Sequence, residues 1–155
     1  MATDEPHGAG LIPIVDYDPH WPELFLREAD RIRAALGPRV LGLEHTGSTS
    51  VPGLAAKPII DMTLAVEWYE HRMFKGPDTD VNLHVFPSGC PEIARILRFR
   101  DWLRTHAADR DLYARTKLAL SRQKWKTVDD YADAKTAVIT AVIQEILGRA
   151  RLTQV

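Results

Sequence analysis

The sequence predicts an α/β domain, a small mixed β-sheet with packed helices followed by a helical C-terminal half. Three observations carry this. Apolar residues recur at helical spacing over 21–36, at Leu24, Phe25, Ala29, Ile32 and Leu36. Strand-like segments separated by turn residues fill 39–86, among them the apolar run from Ile59 to Val66. From Pro91 to Leu147 the helical period returns with brief breaks. A chain of 155 residues is expected to form one domain and can bury roughly 70% of its unfolded surface in a single core. We place that domain at 11–150 and read 1–10, polar and glycine-bearing, as a flexible tail.

Taken in order, Leu11 to Val15 reads as a short edge strand. YDPHWP turns the chain into the first helix, with Trp21 as an aromatic anchor, and Gly37-Pro38 stops it. Arg39 to Glu44 is a short β candidate that leads to His45 and a turn of small, hydroxylated residues, Gly47 to Ser50. After Pro52-Gly53, Lys57-Pro58 opens the apolar strand, which carries one carboxylate, Asp61. Glu67 to Lys75 alternates in strand fashion, 76–80 is a dense turn, and Val81 to Phe86 returns. In that return Leu83 and Val85 share one face, Asn82 and His84 the other.

Pro91 suits the first turn of a helix whose inner face is Ile93, Ile96, Leu97 and Leu103 and whose other faces carry Arg95, Arg98, Arg100 and Arg104. A second helix covers Asp109 to Arg122. A third, capped by Thr127 or Asp129, runs to Leu147 with Tyr131, Ala134, Lys135, Val138, Val142 and Ile146 on one stripe. A lysine on an inward stripe needs a carboxylate or a bound anion, because an unpaired buried ammonium is costly. Lys117 follows Tyr113 by four residues, as Lys135 follows Tyr131; ion pairs and anion binding both account for that spacing.

Composition removes several function classes. A net charge of −1 argues against nonspecific nucleic-acid binding, which normally requires a cationic excess. The single cysteine, Cys90, rules out an intramolecular disulfide framework and fits a reducing cytoplasm. The first ten residues lack the basic and apolar regions of a signal peptide, and no run approaches the ~18 apolar residues of a membrane helix.

The chemistry is concentrated between His45 and Val66, HTGSTSVPGLAAKPIIDMTLAV. A glycine-serine turn brings N–H groups and hydroxyls up to a phosphate, because glycine has no Cβ in the way. A carboxylate on the next strand can hold the magnesium that accompanies a triphosphate. The turn is no Walker A loop: five residues rather than four separate Gly47 from Gly53, and Leu54 stands where that motif needs lysine. It matches the outline of nucleotidyltransferases instead. That outline expects a second acid two residues after the first, on the same strand face, to share metal ions. Here Asp61-Met62-Thr63 supplies a threonine.

The segments YDPHWPELF from Tyr17, HTGSTSVPGLAAKPIID from His45, FKGPDTDVNLHVF from Phe74 and RFRDWLR from Arg98, with Tyr113, Lys117, Tyr131 and Lys135, resemble the GrpB family. These are small bacterial proteins with a nucleotidyltransferase-like fold and no settled activity. The likeness runs from about Pro13 to Leu147. It implies magnesium-dependent transfer of a nucleotidyl group from a nucleoside triphosphate, or another phosphorylated small molecule, to an unknown acceptor. Relatives of this type carry a helix-bearing segment after the Asp61 strand. Here Ile59 through Lys75 runs seventeen residues without Gly, Pro or Asn. We therefore expect a missing segment between 66 and 67, seen as a Val66–Glu67 Cα separation well above the ~3.8 Å of a trans peptide.

The expected site follows. Gly47, Ser48 and Thr49 hold phosphates, with His45 contacting the loop or the substrate. Asp61 binds Mg2+, and Lys57, Arg72, Lys75, Arg100, Lys117 and Lys135 neutralise charge. His84, near where such enzymes place a third acid, supports the metal or the attacking hydroxyl; a solvent-facing strand histidine is the other reading. The rival function is a nucleotide- or anion-binding module that has lost its second carboxylate. A hydrolase built on His45, His71 and His84 lacks the H-E-x-x-H spacing.

Overall fold

The computed structural model describes residues 13–67, 72–76, 80–123 and 126–152, with backbone only at 128, 129, 131, 132, 151 and 152. The expected tail at 1–10, the turn residues 77–79 and His71 lie outside the described residues. Helix α1 (Trp21–Leu36) is followed by β1 (Gly42–Thr46), β2 (Ile60–Val66), β3 (Arg72–Lys75) and β4 (Val81–Pro87). Helices α2 (Pro91–Thr105), α3 (Ala107–Arg122) and α4 (Val128–Leu152) complete the chain. The four strands form one sheet in the order β1-β2-β4-β3. The central pair β2 and β4 is parallel, and both outer pairs are antiparallel, so the sheet is mixed.

Register decides which residues share a face. Asp61 stands between Thr46 and Asn82, and Thr63 between Glu44 and His84. On the opposite face Ile60, Met62, Leu64 and Val66 pack with Leu43, Val81, Val85 and the inner stripe of α1, including Trp21 and Ala29. β2 reads as an almost unbroken apolar run because it is covered on both sides, by α1 on one and by the helical half on the other. That half has its own core, in which Leu103 and Ile146 meet Val51 and Leu54 from the segment after the Gly-Ser turn.

Three local expectations need correction. Leu11 to Val15 is not a strand over its described part: Val15 makes only an isolated bridge to Ala56. The strand placed at Arg39 to Glu44 begins later, at Gly42, because Gly37–Arg39 closes the helix in one 3₁₀ turn. On α4 Val142 and Ile146 face the core as expected and half-buried Ile139 and Ile143 line the cavities beside Lys135, but Val138 is 40% exposed. Thr127 does cap this helix, its hydroxyl accepting from the Asp130 N–H at 3.1 Å. Val66 ends β2 by accepting from the Ser88 N–H at 2.8 Å, and Glu67 follows in a bend. Val66 and Glu67, between which a missing segment was expected, are both described, the first as the last residue of β2 and the second in the bend after it.

Candidate functional site

At the end of β1 the chain reverses through Gly47, whose φ of 69° and ψ of −174° belong to a backbone region open in practice only to glycine. The reversal lays the turn directly on Asp61. A Cβ on Gly47 would stand 2.4 Å from Asp61 Oδ2 and 2.8 Å from its Cβ. Ser48–Ser50 then makes one 3₁₀ turn, fixed by the Ser50 hydroxyl donating to the Gly47 carbonyl at 2.5 Å.

Thr49 is buried and ties the turn to both of its neighbours. Its hydroxyl donates to the Ile59 carbonyl at 3.0 Å and lies 3.0 Å from His45 Nε2. The hydroxyl has one proton, which goes to the carbonyl, so the imidazole must donate to the threonine oxygen. His45 is therefore the Nε2–H tautomer. Its ring stacks on Phe25, centroids 5.0 Å apart, on the α1 side of the sheet, opposite Met62. Burial, reinforced by Arg104 and Arg100 against Asp61, pushes its pKa down to about 4. His45 is thus a neutral brace beneath the turn, on the face away from Asp61; the substrate-contact reading is corrected. Between pH 6.5 and about 4 the unfolded chain binds a proton that the folded chain refuses, so stability is full above pH 6.5 and falls as pH drops through that window. We expect His45→Asn to flatten the acid limb of a Tm-against-pH curve while lowering the neutral-pH Tm.

Two cavities of about 270 and 300 Å3 flank Asp61 and share Ser48, Asp61 and Tyr113 as a wall. Lys57, Lys117 and Lys135 line the first, with Thr49 and Asn82. Among the described residues that line it, three lysines stand with one carboxylate, Asp61. Lys117 reaches down from α3, donates to Ser48 Oγ at 2.6 Å and lies 5.1 Å over the Tyr113 ring. Burial, followed by repulsion from Lys135 and Lys57, holds its pKa down to about 8. Burial and Lys135 lower that of Lys57. Burial raises the pKa of the Tyr113 hydroxyl, and the neighbouring Ser48 opposes that shift.

The second cavity is walled by Ile96, Phe99, Leu103 and Ile143 and floored by Thr63 and His84. His84 Nε2 lies 3.3 Å from Asp61 Oδ1, so the histidine and the acid form one unit. Thr63, where a second acid was expected, is 3% exposed and its hydroxyl lies 2.9 Å from that of Thr46.

Of the predicted residues, Gly47, Ser48, Thr49, Lys57, Asp61, His84, Lys117 and Lys135 converge. Arg72 and Lys75 do not. Arg72 pairs in register with Val85, so it projects on the face away from Asp61 and lines an apolar groove there. Lys75 is on the Asp61 face but two strands away, beyond Asn82, and is exposed. Arg100 does line the second cavity, but its guanidinium is already engaged: it donates to Glu44 Oε2 at 2.7 Å, to the His45 carbonyl at 3.0 Å and to Asp101 Oδ1 at 2.9 Å, clamping α2 to β1. Sequence reasoning passed over Tyr113 and Asn82 as site residues. Each had a signal: Tyr113 shares a helix face with Lys117, and Asn82 shares a strand face with His84.

The family model for the GrpB protein matches residues 11–67 and 65–145. The chain belongs to the GrpB family. The two matched stretches of this GrpB chain overlap at residues 65–67. It is 50% identical over 174 residues to a UPF0157 protein of Halalkalibacterium halodurans, covering 96% of this chain and 87% of that one. A UPF0157 protein of Streptomyces coelicolor is 43% identical over 162 residues, covering 90% and 86%. The crystal structure of conserved protein GrpB from Enterococcus faecalis superposes with a TM-score of 0.75 at 32% identity, over 89% of this chain and 99% of that one.

Among the described residues no three His, Cys, Asp or Glu side chains converge as a metal site, and no helix is long and apolar enough to cross a membrane. The donor set at Asp61 is one carboxylate with His84 and Asn82 beside it. Magnesium is commonly held by one or two carboxylates plus substrate phosphates, so this set fits an ion delivered by a polyphosphate and does not form a cage of its own.

Proposed function

We propose that the protein binds the polyphosphate chain of a nucleoside triphosphate in the lysine-lined cavity. One observation carries this: Lys57, Lys117 and Lys135 are gathered around a single carboxylate at a glycine-serine turn. Three like charges in a partly enclosed space repel one another, and a polyanion turns that repulsion into attraction. Ser48 and Thr49 add hydroxyls, and Gly47 lets the chain run close to the guest. Asn82 completes the polar floor.

Nucleotidyl transfer is the second reading, favoured by the Asp61–His84 contact on the wall of the adjoining cavity. A magnesium ion brought by the triphosphate would be held by Asp61 with phosphate oxygens, and would supply charge neutralisation at the reacting phosphorus. The apolar second cavity would take the acceptor, oriented by His84. Such transfers depend mainly on positioning and charge stabilisation.

Thermal stabilisation by each triphosphate, with and without magnesium, tests the first reading, and Asp61→Asn separates the two. Removing the one negative charge from the lysine cavity should tighten metal-free triphosphate binding by about tenfold, or roughly 1.4 kcal/mol. A loss of metal-free affinity in Asp61→Asn would count against the lysine-centred site. A loss confined to magnesium-containing samples would favour transfer. No stabilisation by any triphosphate would sink both.

A further inference from the structure

We propose that Ser48 is itself a nucleotidyl acceptor, with Lys117 as its general base and Tyr113 as the residue that orients it. This rests on the triphosphate-binding reading above. Ser48 and Tyr113 are the hydroxyl-bearing residues common to both cavities, and Ser48 is the one that stands on the glycine turn with a lysine on its oxygen. A nucleophile, a base within hydrogen-bond reach and a third group holding the pair is the arrangement that activates a serine. Here Lys117 Nζ is 2.6 Å from Ser48 Oγ and 5.1 Å from the centre of the Tyr113 ring, which sets the tyrosine against the pair. Serine hydroxyls in phosphate-binding turns usually act only as donors to the ligand. A buried lysine at this distance, held over an aromatic ring, adds a proton acceptor that simple binding does not need.

The step balances within the site. The Ser48 hydroxyl proton passes to neutral Lys117 Nζ, and the Oγ lone pair forms a bond to the α-phosphorus of the triphosphate. The bond from that phosphorus to the β-phosphate bridging oxygen breaks, and pyrophosphate leaves with the electron pair. The product is a nucleoside monophosphate ester on Ser48 and an ammonium on Lys117. The groups facing Lys117 are Lys57 from the segment before β2, Asp61 from β2, Lys135 from α4 and Tyr113 from its own helix. The two lysines favour its neutral, proton-accepting form and Asp61 opposes them.

The test incubates the full chain with each of the four ribonucleoside triphosphates and magnesium chloride, and reads intact mass, peptide mapping and thermal stabilisation on the same samples. The expected result is a mass gain of one nucleoside monophosphate, mapped to Ser48 and absent in Ser48→Ala. Lys117→Arg keeps the positive charge but cannot accept a proton. It should retain stabilisation by the triphosphate, slow the labelling by about a hundredfold and abolish its rise between pH 7 and 9. Stabilisation without a label on Ser48, or with a label elsewhere, overturns the proposal and leaves the binding reading standing. A phosphate-only adduct on Ser48 overturns the nucleotidyl step. Absence of stabilisation by every triphosphate overturns both.

Discussion

Gly47→Ala is expected to unfold the chain more readily by about 2–6 kcal/mol and to abolish triphosphate stabilisation. Two costs combine. Alanine at φ 69°, ψ −174° occupies a region essentially reserved for glycine, a strain of roughly 1–3 kcal/mol. Its Cβ would also overlap the Asp61 side chain, 2.4 Å from Oδ2 and 2.8 Å from Cβ. The carboxylate end could swing away, but the Cβ of Asp61 is fixed to β2, so backbone must move as well. Overpacking of this kind costs about 1–3 kcal/mol. The shift would break the Asp61–His84 contact and pull Ser48 off Lys117. Urea denaturation measures the first effect and triphosphate-induced Tm shifts the second. A variant as stable as the parent would mean that the turn does not sit on the acid.

Lys117→Met is expected to stabilise the unliganded chain at neutral pH while weakening the binding of triphosphate. The folded structure holds this lysine near pKa 8, against 10.5 for the free side chain. Below pH 8 the folded chain bears the full cost of that charge, on the order of 3 kcal/mol. Between pH 8 and 10.5 the unfolded chain binds protons that the folded chain does not, so wild-type stability rises with pH across that window. Replacing the lysine removes the cost but also its hydrogen bond to Ser48, worth about 1 kcal/mol, leaving a net gain of about 1–2 kcal/mol at pH 7. The same change removes a charged donor to the ligand, worth about 1.5–3 kcal/mol, or roughly 10- to 100-fold in affinity. Chemical denaturation at pH 7 and pH 10, paired with binding titrations, reads both. A variant less stable at pH 7 with unchanged affinity would refute the charged-cavity picture.

The general plan of the molecule was legible because its signals are local. The stripe over Trp21–Leu36, the glycine-proline stop and the alternation in Val81–Phe86 each depend on a few neighbours. The turn-plus-acid pairing was legible for the same reason, since β1, the turn and β2 are consecutive. What failed depended on strand order. Arg72 and Lys75 look equivalent in a short alternating segment, yet an odd spacing of three residues sends them to opposite faces of an edge strand. Arg100 could not be assigned from its neighbourhood either. Its partners Glu44 and His45 lie 56 and 55 residues away in the chain. His45 shows the same limit: adjacency to the turn suggested a ligand contact, whereas alternation along β1 turned its ring toward Phe25.

The division of the interior into two separate cores has a bearing on access. One core joins the sheet to α1, and the other joins α2, α3 and α4 to Val51 and Leu54. The lysines come from both sides of that seam, Lys57 from the sheet side and Lys117 and Lys135 from the helices. A guest seated among them would therefore act as mortar between two masonry blocks, and its departure would leave α3 and α4 freer to lift as a unit. Guest exchange and partial unfolding of the helical block would then be limited by the same opening event, with the Arg100 clamp as the part that stays shut.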